Sequence, residues 1–181
     1  MSISTKTGDL GQSSLINGQR LDKDALIFEV LGTLDELNSW LGLVVSKLRD
    51  EEQFQTYEQQ LLKIQDTLFY LGAELAGSTK TKLTDRDLTW LEDVEAELES
   101  QLKHHDMTKF VLPGGTKAAA LLDVARTVCR RAERSLVKHS RQTQVRPVTG
   151  RYLNRLSDYL YLLRTTINKK NHSAENVFQA E

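Results

Sequence analysis

Between Lys23 and Leu48 the chain reads KDALIFEVLGTLDELNSWLGLVVSKL. Ile27, Leu31, Leu34, Leu37, Leu41, Val44 and Leu48 recur in steps of three and four, which places them on one stripe of an α-helix. The pattern repeats outward from this stretch. Phe54, Tyr57, Leu61, Ile64, Leu68, Leu71 and Leu75 form a second stripe, with Gly77 as its stop signal. Leu88, Leu91, Val94, Leu98 and Leu102 form a third, with Thr84 as N-cap and Asp87 at the third helical position. A fourth runs through Ala118, Leu121, Ala125, Val128, Ala132 and Leu136, and a fifth through Leu153, Leu156, Leu160, Leu163 and Ile167. No stretch alternates with period two. The expectation is an all-α fold, a five-helix antiparallel bundle with short connections. A polar N-terminal segment is left over.

The bulk numbers agree. The 181 residues suit one domain, and 39% apolar with 27% charged residues is an ordinary globular composition. Pro113 and Pro147, the only prolines, fall between the stripes and leave the helices uninterrupted. A net charge of −1 gives no global attraction to nucleic acid or an anionic membrane. Cys129 is the sole cysteine, so no internal disulfide is possible. The start MSISTKTGD has no apolar signal core and no run reaches membrane-spanning length, so a cytoplasmic location is expected. Within one domain of residues 1–181, residues 1–22 read as a polar loop segment, 23–170 as the bundle and 171–181 as a frayed polar tail.

Charge is uneven along the chain. From Val124 to Arg155 there are nine Lys or Arg and one acid, Glu133. In ARTVCRRAER, Arg126, Arg130 and Arg134 stand at i, i+4 and i+8 beside Arg131. Like charges so spaced destabilise a helix. They are either a solvated face or an anion site suited to phosphate oxygens. On GTLDELNSWLG, Gly32, Asp35, Ser39 and Gly42 share a face of small residues, as if another helix approached closely. Asp35 either meets solvent or pairs with an arginine of the fourth helix. In YLNRLSDYLY, Asn154, Asp158 and Tyr161 lie off the leucine stripe, as a wet face or as partners for a ribose or base.

FVLPGGT, residues 110–116, is an apolar run broken by a tight turn, with Thr116 as the next N-cap and Phe110 free to wall a pocket. The opening run TKTGDLGQSSLINGQR is not a Walker A loop, since GxxxxGK[ST] is absent. Its glycines, hydroxyls and Lys6 nonetheless suit an anion loop. His104 and His105 read as solvated residues near a helix end, and Cys129 as core filler.

Taken in order, TKTGDLG, NGQR with Lys23, GTLDELNSWLG, FVLPGGT, ARTVCRRAER and LNRLSDYLYLLR resemble the PduO-type ATP:cob(I)alamin adenosyltransferases over nearly the whole chain. Gln12 stands where that family usually has Thr, NGQR replaces TGER, and the ending LLRTTINKK departs from the usual LAR-containing one.

The resemblance implies a homotrimer with ATP between adjacent subunits. It also implies transfer of the 5′-deoxyadenosyl group to cobalt of cobalamin, with triphosphate released. Mg²⁺ would be carried by ATP, no metal ligand being assigned to the protein, and an electron-donating reductase would be the partner. On it, Thr5, Lys6, Thr7, Gly8, Lys23, Arg130, Glu133 and Asn154 would bind ATP. Phe110, Asp35 and Arg126 would contact cobalamin, with Asp35 and Arg126 as a buried pair. Arg130, Arg126 and Asp35 would serve catalysis. The competing readings are a non-catalytic corrinoid and ATP carrier of the same fold, and a helical nucleic-acid-binding protein using the basic face. Against the latter, aromatics are not interleaved with the basic residues.

Overall fold

Threonines open two of the helices. In the computed structural model, which describes residues 4, 6–80 and 82–179, Thr84 and Asp87 form a reciprocal capping box. Thr116 Oγ1 accepts from the Ala119 amide at the next helix start. Five helices result: α1 Leu26–Leu48, α2 Gln55–Leu75, α3 Asp85–Gln101, α4 Lys117–Ser140 and α5 Pro147–Lys170. Pro147 is the first residue of α5, where its missing N–H has no partner to lose. After α2, Gly77 takes φ +87 while the Gly77 and Ser78 amides donate back to Glu74 and Ala73. That is the stop expected from its sequence position.

Successive helices run antiparallel. Asn38 and Gln65 exchange side-chain-to-backbone bonds across α1 and α2, and Arg49 reaches Glu58 at the end where the two helices connect. Arg164 meets Asp123 and Asn154 meets Glu133, which fixes α4 against α5 in opposite directions. α5 is the central helix. It buries not only its leucine stripe but also Tyr152, Tyr159, Ser157, Thr165, Thr166 and Asn168. Tyr159 donates to Gln60 of α2 at 2.9 Å, so its buried hydroxyl is satisfied. The predicted stripes of the five helices furnish most of the core.

Two expectations fail. The N-terminal segment contains a small antiparallel hairpin, β1 Gln12–Ser14 paired with β2 Arg20–Asp22. Its turn is made by Asn17-Gly18. The Gly18 amide donates to the Leu15 carbonyl, Gly18 has φ +84, and Asn17 Oδ1 accepts from the Gln19 amide. Strands of three residues are too short to show a period of two. Nor is the C-terminal tail frayed over its described residues, 171–179. Val111 and Val177 form an antiparallel bridge, the Leu112 amide donates to Asn176, and the Phe178 amide donates to Phe110. A polar composition hid this, because the tail is held by backbone and charged bonds rather than by apolar burial.

Candidate functional site

The basic face of α4 is distributed among carboxylates of other elements. Arg131 is paired with Glu36 of α1. Arg126 lies 4.0 Å from Asp123 and 6.0 Å from the centre of the Tyr161 ring, and its Nε is buried without a hydrogen-bond partner. Arg134 donates to the Arg130 carbonyl. The Arg130 guanidinium makes no ion pair among the described residues, although it faces a crevice of about 370 Å³ between α3, α4 and α5. Arg126, Arg155, Glu95, Glu99, Asp158 and Tyr161 line the same crevice, and Met107 closes one edge.

Beside Arg130, Asn154 Nδ2 donates to Glu133 Oε1 at 3.1 Å, while Arg155 donates to Asn154 Oδ1 at 3.2 Å. The amide is therefore held at both ends. The structure thus joins Glu133 of α4 to Asn154 of α5, about one helical turn along α4 from Arg130, though neither lines the Arg130 crevice. Sequence reasoning missed Arg155 and Glu95. Glu92, Glu95 and Glu99 at helical spacing on α3 were the available signal, opposite Arg151 and Arg155 on α5.

Burial, only partly offset by Arg155 at 3.7 Å, lifts the Glu95 carboxyl from its ordinary range to about 7, and Asp158, Glu99 and Glu92 add to the rise. The folded protein therefore binds this proton more tightly than the unfolded chain, and the associated stability is lost as pH rises from about 4.5 through about 7. Glu95→Gln should remove that loss. Its unfolding free energy should exceed that of the unsubstituted protein by about 1–2 kcal/mol at pH 8 and by little at pH 5, as read by urea titration at both pH values.

Lys6, Thr7, Gly8 and Lys23 form a second group. Arg20 donates to the Thr7 carbonyl at 2.9 Å, the Lys23 amide donates to Gly11, and Lys6 takes φ +58. A side chain at Gly8 would meet Lys23 Nζ at 3.2 Å, so the glycine lets the ammonium close over the loop. Thr5 lies outside the described residues. The hairpin lies beside α1 and α2: Asn17 packs on Gly77 just past α2, and Ile16, itself exposed, lines a groove of about 240 Å³ with Leu31, Asp35 and Phe69. The hairpin that follows the loop group thus sits by α1 and α2, whereas the Arg130 crevice lies among α3, α4 and α5.

The predicted Asp35–Arg126 pair is not formed within the chain. Asp35 is exposed on the α1/α2 groove, and the α1–α4 ion pair is Glu36–Arg131. One residue turns a helix by about 100°, which carries Glu36 toward α4 and Asp35 away from it. Gly32 has open space beside it, and an added Cβ at Gly42 would meet the Gln65 side chain of α2 at 3.4 Å, so α2 reaches one end of the small-residue face through a side chain. Phe110 is 81% exposed. Cys129 is buried, its thiol donates to Leu153, and burial pushes its titration up, as a core residue requires. His105 is not merely solvated but pairs with Glu175 at 3.3 Å. No three His, Cys, Asp or Glu cluster as a metal site among the described residues, and none of their helices is long and apolar enough to cross a membrane.

The fold is a five-helix bundle with a small hairpin, in which Arg130, without an ion pair among the described residues, faces a polar crevice lined by both arginines and carboxylates. A family model described as cobalamin adenosyltransferase matches residues 3–167, and the chain belongs to that family. It is 42% identical to a corrinoid adenosyltransferase of Bacillus subtilis, over 94% of this chain and 88% of the relative. It is 37% identical to a cobalamin adenosyltransferase of Cupriavidus metallidurans, over 99% and 95%. A variant PduO-type ATP:corrinoid adenosyltransferase from Lactobacillus reuteri, solved with cobalamin and ATP, superposes with TM-score 0.90 at 32% identity, covering 99% of this chain and 100% of that one.

Proposed function

We propose that this protein transfers the 5′-deoxyadenosyl group of ATP to the cobalt of cob(I)alamin. The cobalt(I) electron pair attacks C5′, the C5′–O bond breaks, and its electrons leave with inorganic triphosphate. Cobalt(I) is itself the nucleophile, so the protein's work is to position C5′ and to stabilise the leaving anion. The observation that carries the reading is the Arg130 guanidinium, without an ion pair among the described residues and close along α4 to the Glu133–Asn154 clamp, in a chain similar to corrinoid adenosyltransferases over nearly its full length.

In this reading Arg130 takes the triphosphate, and Glu133 and Asn154 hold the nucleoside end. Mg²⁺ arrives with ATP. Thr5, Lys6, Thr7, Gly8 and Lys23 close over the phosphates. Phe110 faces the lower side of the corrin, where an apolar ring keeps water or a base off cobalt(II) and eases its reduction. An electron-donating reductase in the cytoplasm is the proposed source of that electron.

Because the hairpin beside the loop group sits by α1 and α2 and Arg130 faces a crevice among α3, α4 and α5, one ATP meets both most simply between subunits of a homotrimer. Asp35 and Arg126 would then meet at the corrin across the same boundary. The exposed Ile16 and Phe69 support burial of the α1/α2 face against a neighbour. Phe69→Glu should therefore convert the assembly to single subunits in sedimentation, since a buried phenyl contributes about 1.5–3 kcal/mol per copy and a buried carboxylate opposes docking.

The test of function is to mix protein, Mg-ATP and chemically reduced cobalamin and follow the corrin spectrum. An ATP-dependent change to the alkylated corrinoid is expected. Binding of both ligands without that change would favour the carrier reading. The nucleic-acid reading is disfavoured because the basic residues Arg126, Arg131 and Arg155 already face carboxylates.

A further inference from the structure

The described residues after α5, 171–179, turn back and bond to the segment that carries Phe110. Among the described residues, both backbone hydrogen bonds recorded for residues 110–112 go to this tail, one from the Leu112 amide to Asn176 and one from the Phe178 amide to Phe110. The tail itself has little apolar surface with which to stay in place. Its fastening is Glu175.

Glu175 Oε1 accepts from Arg164 of α5, and Asn168 Nδ2 lies 3.4 Å from the same oxygen. Glu175 Oε2 lies 3.3 Å from His105 Nε2 in the α3–α4 connection. Arg164 is 1% exposed, and a guanidinium so buried needs compensation on each side. Asp123 stands 3.3 Å from its Nε, and the Gly114 carbonyl accepts from its Nη2 at 3.2 Å. The Gly114 amide in turn donates to Asp123. One buried cation therefore ties the tail, the Pro-Gly-Gly turn and α4 together, and Phe110 lies just before that turn, bonded to the tail.

We propose that Glu175 is a positioning residue. By clamping the tail to Arg164 and His105 it holds the Phe110 segment at the place where the corrinoid is received, without touching the nucleotide. This rests on the reading of Phe110 as the corrin-facing residue.

The test uses the full chain with Glu175→Ala and Glu175→Gln, set beside Phe110→Ala. Hydrogen exchange at the Leu112 and Phe178 amides reads the clamp directly. In Glu175→Ala it should speed up about tenfold or more, in keeping with loss of a charge-assisted bond. The KM for cob(I)alamin should rise by a similar factor, while the KM for ATP stays within about twofold of the unsubstituted protein. Glu175→Gln keeps an acceptor for Arg164 and should lie between. If Glu175→Ala does not fold, the Gln variant carries the same readings at smaller size.

Unchanged exchange overturns the clamp. Faster exchange with an unaltered corrinoid KM overturns the positioning role. So do equal losses toward ATP and corrinoid together with a lowered melting temperature, because a merely structural role would produce them. Phe110→Ala separates the failures: if it also leaves the corrinoid KM unaltered, the assignment of Phe110 is what has failed.

Discussion

Arg130→Ala is expected to lower kcat/KM for ATP by about 100-fold or more, with subunit stability unchanged within about 0.5 kcal/mol. The two halves of this expectation come from the same geometry. Arg130 is exposed on α4 and makes no ion pair among the described residues, so its removal leaves no carboxylate stranded. A charge-assisted contact to a phosphate oxygen contributes about 1.5–3 kcal/mol. Charge accumulates on the triphosphate as the C5′–O bond breaks, so part of the contact exists only in the transition state. Both kcat and kcat/KM should therefore fall. Arg130→Lys should recover little, because a point charge does not reproduce a planar fork. The measurement is steady-state formation of adenosylcobalamin under varied ATP, with urea unfolding as the control. Turnover within about threefold of the unsubstituted protein would remove Arg130 from the site. Arg131→Ala is the contrasting case. It breaks the half-exposed pair with Glu36, so any effect should fall on α1–α4 packing, within about 1 kcal/mol, before it falls on nucleotide.

What could be read from the sequence was whatever is local. The stripes on α1 to α5, the Thr84 and Thr116 caps and the Gly77 stop involve residues within one or two turns of each other, and the structure has them where spacing put them. The hairpin carried a local signal too, Asn17-Gly18, but flanked by three-residue strands it did not outweigh the polar composition around it. Long-range partners were not legible. Spacing placed Asp35 on a face without saying which neighbour that face meets, and a difference of one residue decided that Glu36, not Asp35, reached α4. The Glu133–Asn154 clamp joins residues 21 apart, and the Glu95–Arg155 contact joins α3 to α5. The first was reached through the family resemblance of two motifs. The second was not reached, because no single helix shows that a glutamate will be buried. The tail failed for the same reason: its partners, Phe110 to Leu112 and Arg164, lie far from it or in a helix read for its leucines and for Asn154, Asp158 and Tyr161 but not for Arg164.

The largest effect on stability is expected at Gly115, where Gly115→Ala should lower the unfolding free energy by about 3–5 kcal/mol. Two causes add. Gly115 has φ +97, which an L side chain resists at about 1–3 kcal/mol. A Cβ there would also fall 2.3 Å from both Nδ2 and Oδ1 of Asn168. Asn168 cannot swing aside cheaply. Its Oδ1 accepts from the Thr116 amide at 3.0 Å, its Nδ2 donates to the Gly114 carbonyl at 3.1 Å, and it is 1% exposed. Moving it would break the bond that orients the start of α4, and would loosen the Gly114 carbonyl that Arg164 also uses. Gly114→Ala isolates the first cause, since Gly114 has φ +141 and nothing within 4 Å of an added Cβ. It should therefore lose only about 1–3 kcal/mol, the strain alone. Urea unfolding of both variants, with equal m-values, measures the difference. If the two substitutions had equal effects, the Asn168 contact would contribute nothing. If Gly115→Ala lost less than about 1 kcal/mol, the turn would be free to choose another conformation, and Phe110 would have no rigid footing on that side.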